Sequence, residues 1–357
     1  MKNNRLIIML AMLATTFAAG CGSSTQTQEQ VNNNDEATTE TATRRNPVFS
    51  LFDSDGNGSY QLYRNKDKIA VFSFEDGRKP IEMCSHNDDC YILVSETPKN
   101  DTISDTLRAN AEIYKNGRRV MELDERLKAM NFAMEEGHFY VLGKLADSGY
   151  TVYRDGLRIL TFPKLQGSKP IDMHVFGQTV YVAMQRGKTT DIYKDNNKLY
   201  SIDGVCKDIK VSFRGVYLLT GDTLFLDRNV IMFNEYYRHT DKEMYAFPTM
   251  LATNDKDLLV GARASFDKQH TYAGIFVNQQ TYATIQPDDK HIGESELSTV
   301  CCGVAVSNET YYYATTVLNP DMTMTKPITY YYYTDHNDSF TLTFENEDAR
   351  LLMMTSN

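Results

Sequence analysis

This 357-residue chain is predicted to be all-β and to fold as a seven-bladed β-propeller, on three observations. The segment AEIYKNGRRVMEL at 111–123 returns as TVYRDGLRILTF from Thr151 and as DIYKDNNKLYSI from Asp191. Marking each copy by its aromatic residue gives Tyr63, Tyr114, Tyr153 and Tyr193, then weaker copies at Leu226, Phe276 and Tyr333, in steps of 33 to 57 residues. Units of about 40 to 45 residues with four antiparallel strands are propeller blades. Finally, the two ends complement each other: VFSLFD at Val48 matches a second strand with no first strand before it, and ARLLMMTS follows the last complete unit as a spare. Pairing them seals the ring and removes the open edge that an incomplete wheel exposes.

Within a unit the elements follow in order. An alternating stretch such as PIDMHV or KDIKVS makes the first strand, and FG or FRG turns it into the second, TVYVAM or VYLLTG. The IYKNG segment is a third strand running into a tight turn, because Asn116-Gly117 and Asp155-Gly156 accept the positive φ of a two-residue hairpin. A short fourth strand ends the unit. Two β-sandwiches are the rival architecture, although sandwiches require no units of one pattern; a miscounted weak copy leaves six blades as the other alternative.

Composition agrees with a large β core. Hydrophobic residues make up 41 %, and the 23 Tyr and 17 Phe favour strands, where aromatics pack well on a pleated surface. The formal net charge of −10 repels phosphate backbones and anionic headgroups, which argues against nucleic acid as a partner.

The N-terminus carries an address. Lys2 and Arg5 precede an apolar run from Leu6 to Leu13 that ends in small residues, a secretory leader over 1–20 too short for a good membrane-spanning helix. Ala18, Ala19, Gly20 and Cys21 resemble the bacterial lipobox, which implies cleavage before Cys21 and lipid modification of its thiol, with palmitate as one such acyl group. In some bacteria an Asp directly after the Cys signals inner-membrane retention; Gly22 here implies the outer membrane, and the lack of an immediate acidic cluster implies the periplasmic face over the cell surface. From Gly22 to Asn46 the only large apolar side chain is Val31, too little to offset ordering. Such a tether spans on average about 25 to 30 Å. The expected organisation is therefore leader 1–20, lipidated Cys and disordered tether 21–46, and propeller 47–357, touching the membrane through the anchor alone.

The repeat, with IYKNG before an apolar strand and VYV or FYVLG after it, resembles the YWKNG-type repeats of uncharacterised secreted and lipoprotein β-propellers in bacteria, from Val48 to the C-terminus. That resemblance implies the fold and no common activity. Lacking Trp, the chain departs from WD, quinoprotein and full sialidase repeats.

Strand order sorts the connections onto two faces. First-to-second and third-to-fourth turns are short, whereas the other face receives long segments from Ser95, Phe233, Gln286 and Leu318, where binding residues concentrate on a rigid scaffold. The expected partner patch is Tyr236, Tyr237, Arg238 and His239, aromatics and Arg being favoured interface anchors, with His291 in the next long loop. His291 with Asp288, Asp289, Glu294 and Glu296 reads either as an acid/base cluster or as a solvated acidic loop.

Other chemistry is sparser. Asp53, Asp55, Asn57 and Ser59 have the spacing of a calcium loop, a possible structural calcium site, but Gln61 and Arg64 stand where an EF-hand places its later ligands, so a polar hairpin turn is the alternative. Cys84 and Cys90 flank SHNDD and are candidates for a disulfide across a hairpin, or for free thiols. Cys206, Cys301 and Cys302 fall on expected innermost strands as buried thiols. The runs Tyr311–Tyr313 and Tyr330–Tyr333 read as inter-blade packing, since successive strand residues point to opposite faces. Asp101-Thr102 and Asp105-Thr106 resemble a bacterial O-glycan acceptor. No nucleophile elbow, P-loop, HExxH or paired CxxC is present, no cofactor is expected beyond that calcium, and no catalytic residue is assigned. The expected function is a binding or scaffolding propeller for an envelope protein; the alternative is a glycan-binding or glycan-cleaving one, disfavoured because no acidic residue is read as recurring at the inner strand starts.

Overall fold

The computed structural model describes residues 46–356 except 75–77, 97–110, 124–126, 146–148, 163–166, 234, 240–241, 255, 267–269, 286–296, 308–309 and 335–338. Seven antiparallel sheets follow one another along the chain, six with four strands and one with five. The fold is a seven-bladed β-propeller. All seven marker residues stand on the third strand of their blade, weak copies included.

Sheets pack face to face, so the core is split into seven wedges between neighbouring blades. Both sheet faces are therefore apolar, unlike the clean alternation of a one-sided sheet. The tyrosine runs serve this packing: Tyr312, Tyr313, Tyr330 and Tyr332 are buried, and Tyr332 stacks on Phe340 with ring centroids 4.5 Å apart.

The ring closes as expected, through the C-terminal strand Arg350–Ser356, which is the innermost strand of blade one beside Val48–Asp53. The register differs from the simplest alternation. Leu351 faces Phe52, Met353 faces Leu51 and Met354 faces Ser50, because Leu352 bulges out of the ladder. Ser356 Oγ donates to the Pro47 carbonyl at 3.0 Å, fastening the last residues to the first.

That bulge belongs to a pattern. Each innermost strand holds one extra residue: Ile81, Met130, Ile171, Lys207, Thr249 and Cys302 in blades two to seven, and Leu352 in blade one. A bulge bends the strand and re-aims the side chain that follows it.

Candidate functional site

A cavity of about 1110 Å³ runs along the axis, and its lining begins at the bulge in six blades and one residue later in blade six. From there it follows the inner strands to their first-to-second turns, reaching His86, Glu136, Lys256 and Ser307. The cavity thus belongs to the short-turn half of the wheel, opposite the end where the long connections enter. Turn-to-turn contacts brace that half: Glu135 of blade three accepts the Gly177 and Gln178 N–H groups of blade four, both at 2.6 Å.

The residue after each bulge sits at the deep end. Blades two to five place Glu82, Asn131, Asp172 and Asp208 there, and blades six, seven and one place Met250, Gly303 and Met353. One half of the floor is polar and the other apolar. At Gly303 a Cβ would meet Met354 Sδ at 3.0 Å, so blade seven has no room for a side chain.

The polar half is linked across blades. Asn131 Nδ2 donates to Asp172 Oδ1 at 2.6 Å, and Asp172 also accepts the Met173 and Ile209 N–H groups at 2.8 and 2.9 Å. Asp208 accepts the Leu251 N–H of blade six at 3.2 Å and pairs with Lys210 at 2.5 Å. These carboxylates replace hydrogen bonds that bulged strands cannot give one another.

Ionisation here is unusual. Burial, then the nearby Asp172 charge, pushes Glu82 up to about 8. Burial, partly offset by Lys210, pushes Asp172 up to about 6. Burial disfavours the Lys210 charge, but Asp208 and Asp172 outweigh it and hold the ammonium well above its ordinary range. His174, also on the lining, is driven down to about 3 by burial and then by Lys210, so it is neutral.

The recurrent inner-strand acid corrects the sequence reading, which found none. Its signal stands in the sequence as KPIEM at Lys79–Met83 and KPIDM at Lys169–Met173, with KDI at Lys207–Ile209 as a looser copy.

The other expected residues fall as follows. Tyr236, Tyr237, Arg238 and His239 lie on a strand, Glu235–His239, that pairs with Lys242–Ala246, so this stretch is a β-hairpin arm rather than a loop. Its aromatic-rich composition suits pairing better than an open connection. Cys21, His291, Asp288, Asp289, Glu294, Glu296 and the Asp101 and Asp105 acceptors lie outside the described residues.

Asp53, Asp55, Asn57 and Ser59 share a hairpin turn whose oxygens meet its own backbone: Asp53 Oδ1 accepts Gly56 N–H at 2.9 Å, and Asp55 Oδ1 accepts Asn57 and Ser59 N–H at 2.9 and 3.1 Å. The Ser59 carbonyl accepts Ser54 N–H at 2.8 Å. Those backbone donors, Asn57 first and then Ser59, hold the Asp55 carboxyl below its ordinary range.

The disulfide is a correction. Cys84 and Cys90 are free, with Cys84 opposite Tyr91 and Cys90 opposite Ser85. Neighbouring register positions point to opposite sheet faces. Cys84 Sγ accordingly donates to the Phe132 carbonyl of blade three at 3.6 Å, while Cys90 is buried in the wedge between blades one and two.

No protein-family model and no curated protein matches the sequence. Solved propellers are similar in architecture. A Pseudomonas aeruginosa periplasmic gluconolactonase, PpgL, aligns with 85 % of this chain and 99 % of its own at 12 % identity and a TM-score of 0.44. BamB from Moraxella catarrhalis aligns with 78 % of this chain and 90 % of its own at 8 % identity and a TM-score of 0.39. A prolyl endopeptidase aligns with 87 % of this chain and 50 % of its own at 12 % identity and a TM-score of 0.47.

Proposed function

We propose that this chain is a lipid-anchored lipoprotein of the bacterial outer membrane, facing the periplasm, that holds an envelope protein through its hairpin arm. What supports the docking is the departure from the repeat at blade six. Its first strand, Lys242–Thr253, has 12 residues against seven to nine in the other blades, and its first residues pair with Glu235–His239. That arm strand ends the five-stranded sheet, and an edge strand is a template for an added segment of a partner. The anchor rests on Lys2, Arg5 and the Ala18–Cys21 stretch.

The experiment is crosslinking in the native envelope from a photoreactive residue at Tyr237, together with affinity pull-down of the partner by the wild type and by a variant lacking residues 235–242. The same partner recovered from the variant would remove the arm from the proposal. For the anchor, Cys21→Ser is expected to abolish palmitate labelling and to release the protein from the membrane fraction; unchanged labelling would sink it.

A glycan-binding or glycan-cleaving propeller is the second reading, favoured by the carboxylates on the axial floor. Cleavage needs two of them about 5 to 10 Å apart astride the substrate.

A further inference from the structure

We propose that two copies of this chain pair edge to edge through the outermost strand of blade seven, Ser339–Phe344, as an antiparallel dimer centred on Leu342. This surface is separate from the arm that receives the envelope protein, because the arm strand adjoins the innermost strand of blade six.

Every blade ends outward in its fourth strand, whose free side presents backbone N–H and C=O groups as a template for a further strand. Six blades blunt that edge. Their fourth strands each hold one extra residue, Ile69, Val120, Ile159, Leu199, Ile231 and Tyr282 in blades one to six, where the ladder to the third strand slips. Such a bulge twists the edge and breaks the even spacing that a partner strand needs. Blades one to four add an exposed cation directly before the bulged residue, Lys68, Arg119, Arg158 and Lys198. Blade seven has neither device. Ser339–Phe344 stays in register with its third strand over six consecutive positions without a shift, and SFTLTF contains no charge, no Gly and no Pro. Among the described residues no strand covers its outer side.

The sequence of this edge selects its occupant. Phe340, Thr341, Leu342, Thr343 and Phe344 read the same in both directions. A two-fold interface requires a surface complementary to itself, in which one residue meets a second and the second meets the first. Antiparallel pairing about Leu342 satisfies this: Thr341 faces Thr343, Phe340 faces Phe344, and Leu342 faces its own copy. Ser339 then faces Glu345, so no like charges oppose one another along the paired strand.

The two sheet faces agree with that register. Ser339, Thr341 and Thr343 are exposed on one face, where Thr–Thr pairs suit a pleated surface, and Phe340, Leu342 and Phe344 occupy the other. The strand is also held in place beforehand, since Leu342 and Phe344 are buried with Phe52 of blade one and Phe340 stacks on Tyr332. Little order is then lost on pairing. Each copy consumes the edge of the other, which closes the assembly at two. A ladder this short buries little surface, so the dimer is reversible and depends on concentration.

Sedimentation of the intact protein in detergent, joined to cysteine crosslinking, tests the interface. Opposed residues of an antiparallel pair stand about 4.5 to 5.5 Å apart at Cα, within disulfide reach. Differently tagged Thr341→Cys and Thr343→Cys chains, mixed under mild oxidation, are therefore expected to form a mixed disulfide that neither variant forms alone and the wild type does not form. Replacing both Thr341 and Thr343 by Lys, at exposed positions, copies the charged edges of blades one to four and is expected to weaken association at least about tenfold with an unchanged circular dichroism spectrum. A wild type that sediments as a monomer at every concentration reached, equal crosslinking of Thr341→Cys with itself, or a dimer untouched by the two lysines overturns the proposal. Capture of a different protein by these cysteines overturns it in favour of a foreign strand. The variant lacking residues 235–242 dimerises like the wild type if the edge is right, whatever becomes of the envelope partner, and loss of the dimer in that variant would move the interface to the arm.

Discussion

The Asn or Asp of each IYKNG-type segment does more than tolerate positive φ. Asn65, Asn116, Asp155, Asp195, Asp227 and Asn278 all have φ between 48° and 53°. Each also clamps the first or second residue of its blade's second strand. Asn116 N–H donates to the Cys90 carbonyl at 2.8 Å while its Oδ1 accepts the Cys90 N–H at 2.9 Å, and Asp195 does the same to Val180 at 2.7 and 3.1 Å. Asn116→Ala and Asp195→Ala are therefore expected to destabilise by about 1 to 3 kcal/mol in urea unfolding, against about 0.5 kcal/mol or less for the exposed neighbour Asn196→Ala. The sequence showed the turn residue and its φ. Its second role depends on a strand 11 to 26 residues earlier, which local pattern does not reveal. Glu82 was likewise visible in KPIEM, but only the bulge before it turns that side chain to the axis. Because its folded-state value of about 8 lies above the ordinary 4.5, the stability it gives by holding a proton is full below about pH 4.5 and is lost as pH rises through about 8. Glu112 and Asp191 run the other way. Burial raises both, but Arg119, Tyr114 and Arg78 for Glu112, and Lys198, Ser201 and Arg186 for Asp191, hold them low, so their contribution is lost as pH falls through the acid range. Unfolding midpoints of the wild type are expected to decline as pH rises from about 4.5 to about 8, and Glu82→Gln to flatten that decline while leaving the contributions of Glu112 and Asp191 at lower pH.

At the scale of elements, the closing strand bears the most. It covers Phe49, Leu51 and Phe52, each fully buried. Full burial of such side chains is worth about 1.5 to 3 kcal/mol each, a sum comparable with much of a typical folding free energy of about 5 to 15 kcal/mol. A chain ending at Ala349 is expected to lose its cooperative unfolding transition and to aggregate, as read by circular dichroism and gel filtration; a monomer with wild-type stability would contradict the seam. The strand and its partner were legible from the two mismatched ends. Its register was not, since the Leu352 bulge breaks the alternation on which such an assignment relies. The arm was missed as an element for a related reason: hairpin strands in a long connection carry no copy of the repeat.

For the whole molecule, repetition made the architecture readable, because seven sheets of one kind have few ways to bury two faces each. Function was less readable, for it lies where the blades differ. Two departures from equivalence stand out among the described residues: the lengthened first strand of blade six, and a floor polar on one side and apolar on the other. Neither follows from any single unit; both appear only when the blades are set around an axis. The fastening of Val48–Asp53 to Arg350–Ser356 also orders events in time. Blade one has to wait for a strand that follows all the other blades in the chain, so the growing polypeptide carries an unfinished sheet edge at Val48–Asp53 until Arg350–Ser356 has been made.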